Sequence, residues 1–182
     1  MEPVTTLPRS RPLTYEDLAT MPDDGHRYEL IDGVLIVSPA PLTRHQRAVG
    51  NLYLLLRAET PAEYEVSLAP TDVVLARDTV LQPDLIVARR TDLTERNLPA
   101  APVLAVEVAS PSTMLIDLNL KKARLEAAGC AHYWVVDPAS ATIRAWDLLD
   151  GAYVSVGTAS GEEQLQITQP WSMTIVPAEL QR

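Results

Sequence analysis

One acidic residue lies inside a continuous apolar run, Val103-Leu104-Ala105-Val106-Glu107-Val108. A run of this kind is typical of a β-strand that is covered on both faces by packed helices. Glu107 shares its face of the strand with Ala105 and Ala109, because alternate residues point the same way. An unpaired carboxylate is strongly disfavoured there, so Glu107 must be paired with a cation, protonated or bound to a metal ion.

Two further acids are predicted at strand positions. Asp84 opens an apolar strand that continues to Val87, and Glu29 lies in the first strand of a hairpin. A salt bridge to one of the chain's 13 arginines explains any one of these acids equally well. Three such acids together favour a divalent-metal site, because hard cations take carboxylate oxygens as ligands.

The chain's only two lysines are neighbours, Lys121 and Lys122. A helix is predicted to follow Ser110 and to end at Gly129. Its predicted inward face consists of Met114, Leu118, Lys121, Leu125 and Ala128. Asp117, four residues before Lys121, can orient its ammonium group, and Lys122 is predicted to form a surface pair with Glu126. The alternative is a lysine at the helix edge whose ammonium reaches solvent.

Acids combined with a lysine have a specific chemical use. Carboxylates hold Mg²⁺, which polarises a phosphodiester and lowers the pKa of a bound water. A lysine then stabilises the charge that develops on the phosphate. Mg²⁺ needs neither cysteine nor histidine, and this chain has one cysteine and three histidines.

The order of predicted elements indicates a mixed α/β domain, with a central sheet and flanking helices. Residues 1–13 are predicted to be a disordered lead-in, and residues 14–182 a single domain. Capping boxes are predicted to start helices at Thr14 and Thr43. Asp32-Gly33 is a strong hairpin signal. Residues 64–76 read as one bent or broken strand, and three more strands are predicted after residue 141.

Several properties bound the cellular context. Cys130 cannot form an internal disulfide and is predicted to be a buried thiol. The chain has no signal peptide and no apolar run that would span a bilayer, so a cytoplasmic protein with no membrane partner is expected. A homodimer is a further expectation, because strands near the C-terminus leave sheet edges to cover.

The quoted residues resemble the Uma2, or DUF820, group of restriction-endonuclease-like proteins in the PD-(D/E)xK nuclease superfamily. The resemblance runs in order through residues 28–33, His45, Pro83-Asp84, residues 107–113, Asp117 with Lys121, Gly129 and residues 133–138. It covers roughly residues 14–150, most of the chain. Single pieces of it are weak signals, whereas the ordered set is specific.

The resemblance implies a restriction-endonuclease-like core, a four-stranded mixed β core with helices on either side. It implies that Asp84 and Glu107 bind the metal with the Val108 carbonyl as a third ligand, and that Glu29 supplies an extra acid. The superfamily's lysine two residues after the glutamate is replaced by Ala109, and the family is similar in moving that lysine to the next helix, where Lys121 lies.

The same resemblance implies a magnesium or manganese cofactor and a DNA substrate. Asp117 and His45 are candidates for supporting contacts. His45, near a helix start, either approaches phosphate or metal or is a packed or capping histidine. Leu125 occupies a position where relatives often carry tyrosine, and it belongs to the packing stripe.

The net charge of −9 argues against a generally DNA-coating surface. Cationic binding would require arginines to cluster, and the candidates are Arg44, Arg47, Arg89, Arg90 and Arg96. The leading hypothesis is a metal-dependent DNA endonuclease. The second is a catalytically silent nuclease fold that acts as a dimeric accessory module. The third is a glycoside hydrolase with two carboxylates, which gives Lys121 no role and expects more aromatic residues.

Overall fold

A computed structural model describes residues 11–38, 40–110 and 113–182 of the chain. Its helices are α1 (Tyr15–Leu18), α2 (Thr43–Glu59), a π-helical segment (Ile116–Lys121), α3 (Lys122–Ala127) and a 3₁₀ helix (Pro177–Gln181). Its strands are β1 (Arg27–Ile31), β2 (Val34–Ser38), β3 (Tyr64–Leu68), β4 (Asp72–Ala76), β5 (Thr79–Leu81), β6 (Leu85–Arg89), β7 (Asn97–Leu98), β8 (Leu104–Val108), β9 (His132–Asp137), β10 (Thr142–Leu149), β11 (Ala152–Ser160), β12 (Leu165–Ile167) and β13 (Met173–Ile175).

A mixed sheet of six strands lies at the centre, in the order β11-β10-β9-β8-β6-β3. Strands β8 and β9 are parallel, and the other neighbours are antiparallel. Buried residues of α2 pack with alternate residues of these strands on one face. Leu125 of α3 packs with Ala105 and Tyr133 on the other. The predicted mixed fold is confirmed, and the central sheet has six strands where the resemblance implied four.

A second sheet, in the order β2-β1-β5-β4-β7, brings Glu29 towards the first. The β1–β2 hairpin turns through Asp32 and Gly33, whose φ angles are 51° and 74°. Two consecutive positive φ values define the turn that matches strand twist, so this prediction is confirmed. Arg124 of α3 forms an ion pair with Asp32 and ties the hairpin to the helix.

Two local predictions need correction, and three short strands were missed. Residues 64–76 form two strands in different sheets, because the chain turns between Leu68 and Asp72. Thr43 does not cap α2: the N-cap is Leu42, and no side chain bonds to the free N–H groups there. Strands β5, β7 and β12 were not predicted, because each has only two or three residues and no long alternating pattern.

The N-terminal lead-in prediction lies mostly outside the described residues, which begin at Arg11. Leu13, at the end of that range, is buried beside Leu30 and Val80. Its backbone N–H donates to the Gly33 carbonyl at 2.9 Å. The capping box at Thr14 is confirmed, because the Thr14 N–H donates to the Asp17 carboxylate at 2.8 Å.

The helix that carries both lysines departs most from prediction. A π-helical turn holds more residues than an α-helical turn, so the inward face shifts. Asp117 and Lys121 are both buried, whereas Ala128 is exposed and does not belong to the inward face. Lys122 lies over the ring of Trp146, with 4.5 Å from Nζ to the centroid, and does not form the predicted pair with Glu126.

Gly129 ends this helix as predicted, with φ of 83°. The N–H of Gly129 donates to the Glu126 carbonyl, and the N–H of Cys130 donates to the Leu125 carbonyl. This pair of bonds is the glycine-dependent C-terminal motif of helices. The next residue, Cys130, has a buried free thiol as predicted, and burial raises the pKa of that thiol to about 11.

Candidate active site

Glu107 and Lys121 form a buried ion pair beside the central sheet. Glu107 is 2% exposed on β8, and Lys121 is 3% exposed at the end of the π-helical segment. The Lys121 ammonium donates to Glu107 Oε1 at 3.1 Å. The ion pair explains how an acid is accommodated in the apolar run of β8, because its carboxylate has a cation inside the core.

Two more carboxylates surround the same ammonium. Lys121 Nζ lies 2.9 Å from Glu29 Oε1 and 3.6 Å from Asp117 Oδ1. The backbone N–H of Gln82, the residue after β5, donates to Glu29 Oε1 at 2.7 Å and holds that carboxylate in place. The cluster therefore joins both sheets and the π-helical segment around one lysine.

The π-helical segment is itself held in place. The Tyr133 hydroxyl on β9 donates to the backbone carbonyl of Asp117 at 2.8 Å. A π turn leaves backbone groups that an α-helix would have bonded, and here a buried side chain supplies a donor. This contact positions Asp117 and Lys121 together.

Asp84 lies immediately before β6 and is also buried. The register pairs Leu85 with Val106, so Asp84 comes opposite Glu107 across the strands. Asp84 Oδ2 accepts the Val108 N–H at 2.8 Å. Its Oδ1 lies 2.9 Å from an Arg27 nitrogen and 3.2 Å from His45 Nε2.

The ionisation of these groups follows from burial and from their neighbours. Burial, helped by the nearby acids, raises the pKa of Glu107 well above its ordinary value, and Lys121 offsets this only in part. Burial likewise raises the pKa of Asp117. Burial opposes the charge of Lys121, but three carboxylates raise its pKa above the ordinary value.

Asp84 differs from the other acids. Burial alone would raise its pKa, but the hydrogen bond from His45 and the charge of Arg27 lower it overall. The site therefore contains one acid that favours the charged form and two that favour the protonated form. Such divergent carboxylates are typical of functional sites.

A cavity of about 300 Å³ opens onto the site. Asp84, Glu107, Val108, Asp117 and Lys121 line it, together with His45. Glu29 does not line it and lies behind Lys121. The cavity is thus lined by Asp84 and Glu107, the two carboxylates predicted to bind the metal, whereas Glu29 forms an ion pair with Lys121.

The donor set fits a hard divalent cation. Asp84 and Glu107 offer carboxylate oxygens from adjacent strands, and Asp117 Oδ1 is buried without a hydrogen bond in the described structure. In the described ranges, no three acidic, histidine or cysteine side chains form a ready-made cage. Glu107 and Asp84 instead hold Lys121, Arg27 and His45, so a cation would take over some of these contacts.

Sequence reasoning named six of these side chains and missed Arg27. A signal existed, because Arg27 precedes Glu29 by two residues and shares its face of β1. Among the arginines proposed for a cluster, Arg44 lines the cavity. Arg89 lies over the Tyr64 ring at 5.0 Å, and Arg90 pairs with Glu65.

The fold and this acid–lysine arrangement define the class of protein. A structure of a "putative nuclease belonging to DUF820" from Anabaena variabilis has the same fold, with a TM-score of 0.72 and 16% identity. The match covers 93% of this chain and 97% of that one. The chain belongs to the Uma2 family, described as "Putative restriction endonuclease", whose profile matches residues 14–176.

Two further findings come from the curated proteins and from the helices of the described ranges. No curated protein matches the chain. Across the described ranges, none of the helices combines the length and the hydropathy required to cross a membrane. The family assignment favours a nuclease over the glycoside hydrolase alternative, which also left Lys121 without a role.

Proposed function

We propose that the chain is a divalent-metal-dependent endonuclease that hydrolyses DNA phosphodiester bonds. The observation that carries this proposal is the shared cavity of Asp84 and Glu107, with Lys121 bonded to Glu107 at its inner wall. Two carboxylates and a cation at one cavity match the needs of phosphodiester hydrolysis. Membership of the Uma2 family supports the same reaction class.

Asp84, Glu107 and the Val108 carbonyl would hold Mg²⁺ or Mn²⁺. The bound cation supplies Lewis-acid polarisation of the phosphodiester and activates water. Lys121 stabilises the negative charge that develops on the phosphate, while Glu29 and Asp117 keep its ammonium in position. His45 and Arg27 lie at the mouth of the site beside Asp84, where they can contact a phosphate oxygen.

A specific observation also favours the accessory-module alternative. Each candidate ligand already has a cationic partner: Lys121 for Glu107, and Arg27 for Asp84. A site of this kind is internally compensated and could serve only to hold the two sheets together. The two proposals differ in whether a divalent cation displaces these partners.

Plasmid nicking separates the two. Supercoiled DNA is incubated with the wild type, Glu107→Ala and Lys121→Ala, with Mg²⁺, with Mn²⁺ or with a chelator. The exposed Glu59 provides a matched control, Glu59→Ala. We expect nicking only with metal, and at least about a 100-fold lower rate in both site variants. Equal nicking by the wild type and Glu107→Ala would reject the assignment.

The homodimer stays a prediction. Strand β11 forms one edge of the central sheet and exposes Val154 and Val156. An uncovered apolar edge strand favours association. Light scattering at micromolar concentration should give twice the monomer mass of 19.9 kDa, and a monomer mass would contradict the prediction.

A further inference from the structure

A second cavity, of about 960 Å³, adjoins the candidate active site. Asp84, Arg27 and His45 line both cavities. These three residues are in direct contact through Asp84 Oδ1. A strand whose phosphate lies at Asp84 therefore has an adjacent space for the neighbouring part of the same nucleotide.

The walls of the larger cavity are mainly apolar and aromatic. Gln46, Val49, Gly50 and Tyr53 contribute one face of α2, at helical spacing. Tyr15 and Tyr28 line it from the N-terminal part of the chain. The Tyr15 hydroxyl accepts a hydrogen bond from Asn97 at 3.0 Å, and the Tyr28 hydroxyl donates to Asp24 at 2.8 Å. These bonds hold the two hydroxyl groups in place. Tyr15 also packs against the apolar cluster of Leu30, and the Tyr28 ring lies 6.4 Å from the His26 ring, while both tyrosines line the cavity.

Gly50 is the least expected of the lining residues. It lies in the interior of α2, where glycine is the least favourable residue after proline. A Cβ at this position would meet no atom within 4 Å, so packing does not require glycine. Gly50 lines the cavity and is itself exposed, so a larger side chain at this position would add to the cavity wall.

The charges around this cavity disfavour a phosphate and favour a neutral group. Glu16, Asp23 and Asp72 line it, against Arg96 and His26. Carboxylates repel a phosphate backbone but accept hydrogen bonds from the amino groups at base edges. Arg27 and His45, which contact Asp84, lie where the two cavities meet.

We propose that the larger cavity binds an unpaired nucleobase of the DNA strand whose phosphate enters the candidate active site. This inference rests on the proposed function and names its substrate class: DNA with unpaired bases, such as single strands, loops or gaps. A base inside a duplex cannot reach a cavity of this kind without leaving the stack. Stacking between aromatic and apolar walls recognises such a base without sequence preference.

Binding measured by fluorescence anisotropy tests the proposal without requiring cleavage. The probes are one labelled oligonucleotide as a single strand, as a full duplex, and as a duplex with a short unpaired loop, with Ca²⁺ and with a chelator. Gly50→Trp adds a bulky side chain to the wall of the cavity, and Gly50→Ala is the matched control. Circular dichroism and thermal unfolding confirm that both variants are folded.

We expect the wild type and Gly50→Ala to bind the single strand and the looped duplex about tenfold more tightly than the full duplex. Folded Gly50→Trp should lose this preference. Equal affinities of the wild type for all three probes would overturn the proposal, and this comparison depends on no variant. A preference that persists in folded Gly50→Trp would also overturn it.

The two proposals fail in different ways. Metal-dependent nicking that requires Glu107, combined with equal affinities, would reject the base-binding cavity and leave the nuclease assignment intact. A preference that Gly50→Trp abolishes, without metal-dependent cleavage of the plasmid, the single strand or the looped duplex, would support the cavity and reject the nuclease assignment.

Discussion

The two faces of the central sheet perform different tasks. Val106 and Glu107 are neighbours on β8, yet they point to opposite faces. Val106 joins a large apolar cluster with Leu52 and Leu56 of α2. Glu107 joins two other acids, Glu29 and Asp117, around Lys121. One strand therefore contributes to packing on one side and to chemistry on the other.

The difference shows which face of the sheet stabilises the fold and which face contributes little net stability. Apolar burial on the α2 face stabilises the fold directly. On the other face, one ammonium is surrounded by three carboxylates, two of which have raised pKa values. Buried clusters of this kind contribute little net stability, although removal of one partner is costly. Each prediction below tests one side of this comparison.

The largest effect is expected for Lys121→Met. The substitution leaves Glu29, Glu107 and Asp117 without their cation, so we expect the free energy of unfolding to fall by about 4 kcal/mol at neutral pH. Urea denaturation measures it. Mn²⁺ should restore part of the loss if it binds the freed carboxylates. A loss below about 1 kcal/mol would show that the cluster is not coupled to stability.

On the opposite face, Leu52→Ala should destabilise by about 3 kcal/mol, because it opens a cavity in a fully buried core. The loss should be the same with and without Mn²⁺, as read from paired urea titrations. A metal-dependent difference would mean that the two faces are not independent.

Glu107→Gln should stabilise the metal-free protein by about 1 kcal/mol near neutral pH. Burial raises the pKa of Glu107 above its ordinary value of 4.5. The folded state therefore holds an extra proton, and the stabilisation is complete below pH 4.5 and lost as pH rises through the folded pKa. Asp84, whose pKa is lowered, affects stability only below pH 3.8 and so does not mask this slope.

Urea titrations across mildly acidic to neutral pH measure that slope. The wild type should lose stability as the pH rises, and Glu107→Gln should show a weaker dependence. An identical slope in both proteins would mean that Glu107 does not hold the proton.

The smallest effect is expected for Lys122→Met. Its ammonium lies over Trp146 on the partly exposed side of the helix, so we expect a loss of about 0.5 kcal/mol. The same urea assay as for Lys121→Met measures it. Comparable losses of unfolding free energy in the two variants would mean that buried Lys121 contributes no more to stability than Lys122 does.

Local patterns predicted much of the fold. The β1–β2 hairpin, the buried strand β8 and helix α2 follow from turn chemistry and hydrophobic periodicity. The inward position of Lys121 followed from its spacing with Leu125. These features depend on neighbours within a few residues.

The features that were missed depend on distant contacts. Arg27 and Asp84 are far apart in the chain, and their bond exists only because the two sheets meet. The π-helical turn is stabilised by Tyr133 from another element, which no helical pattern records. The separation of β3 from β4 and the cavity beside Gly50 likewise arise from tertiary packing.

Calorimetric titration of Mn²⁺ into the metal-free protein tests the central claim, that the charged face of the sheet is a metal site. We expect binding to the wild type and to Glu59→Gln, and an affinity at least about tenfold lower in Glu107→Gln. The absence of binding to the wild type, or equal affinity in all three proteins, would contradict it.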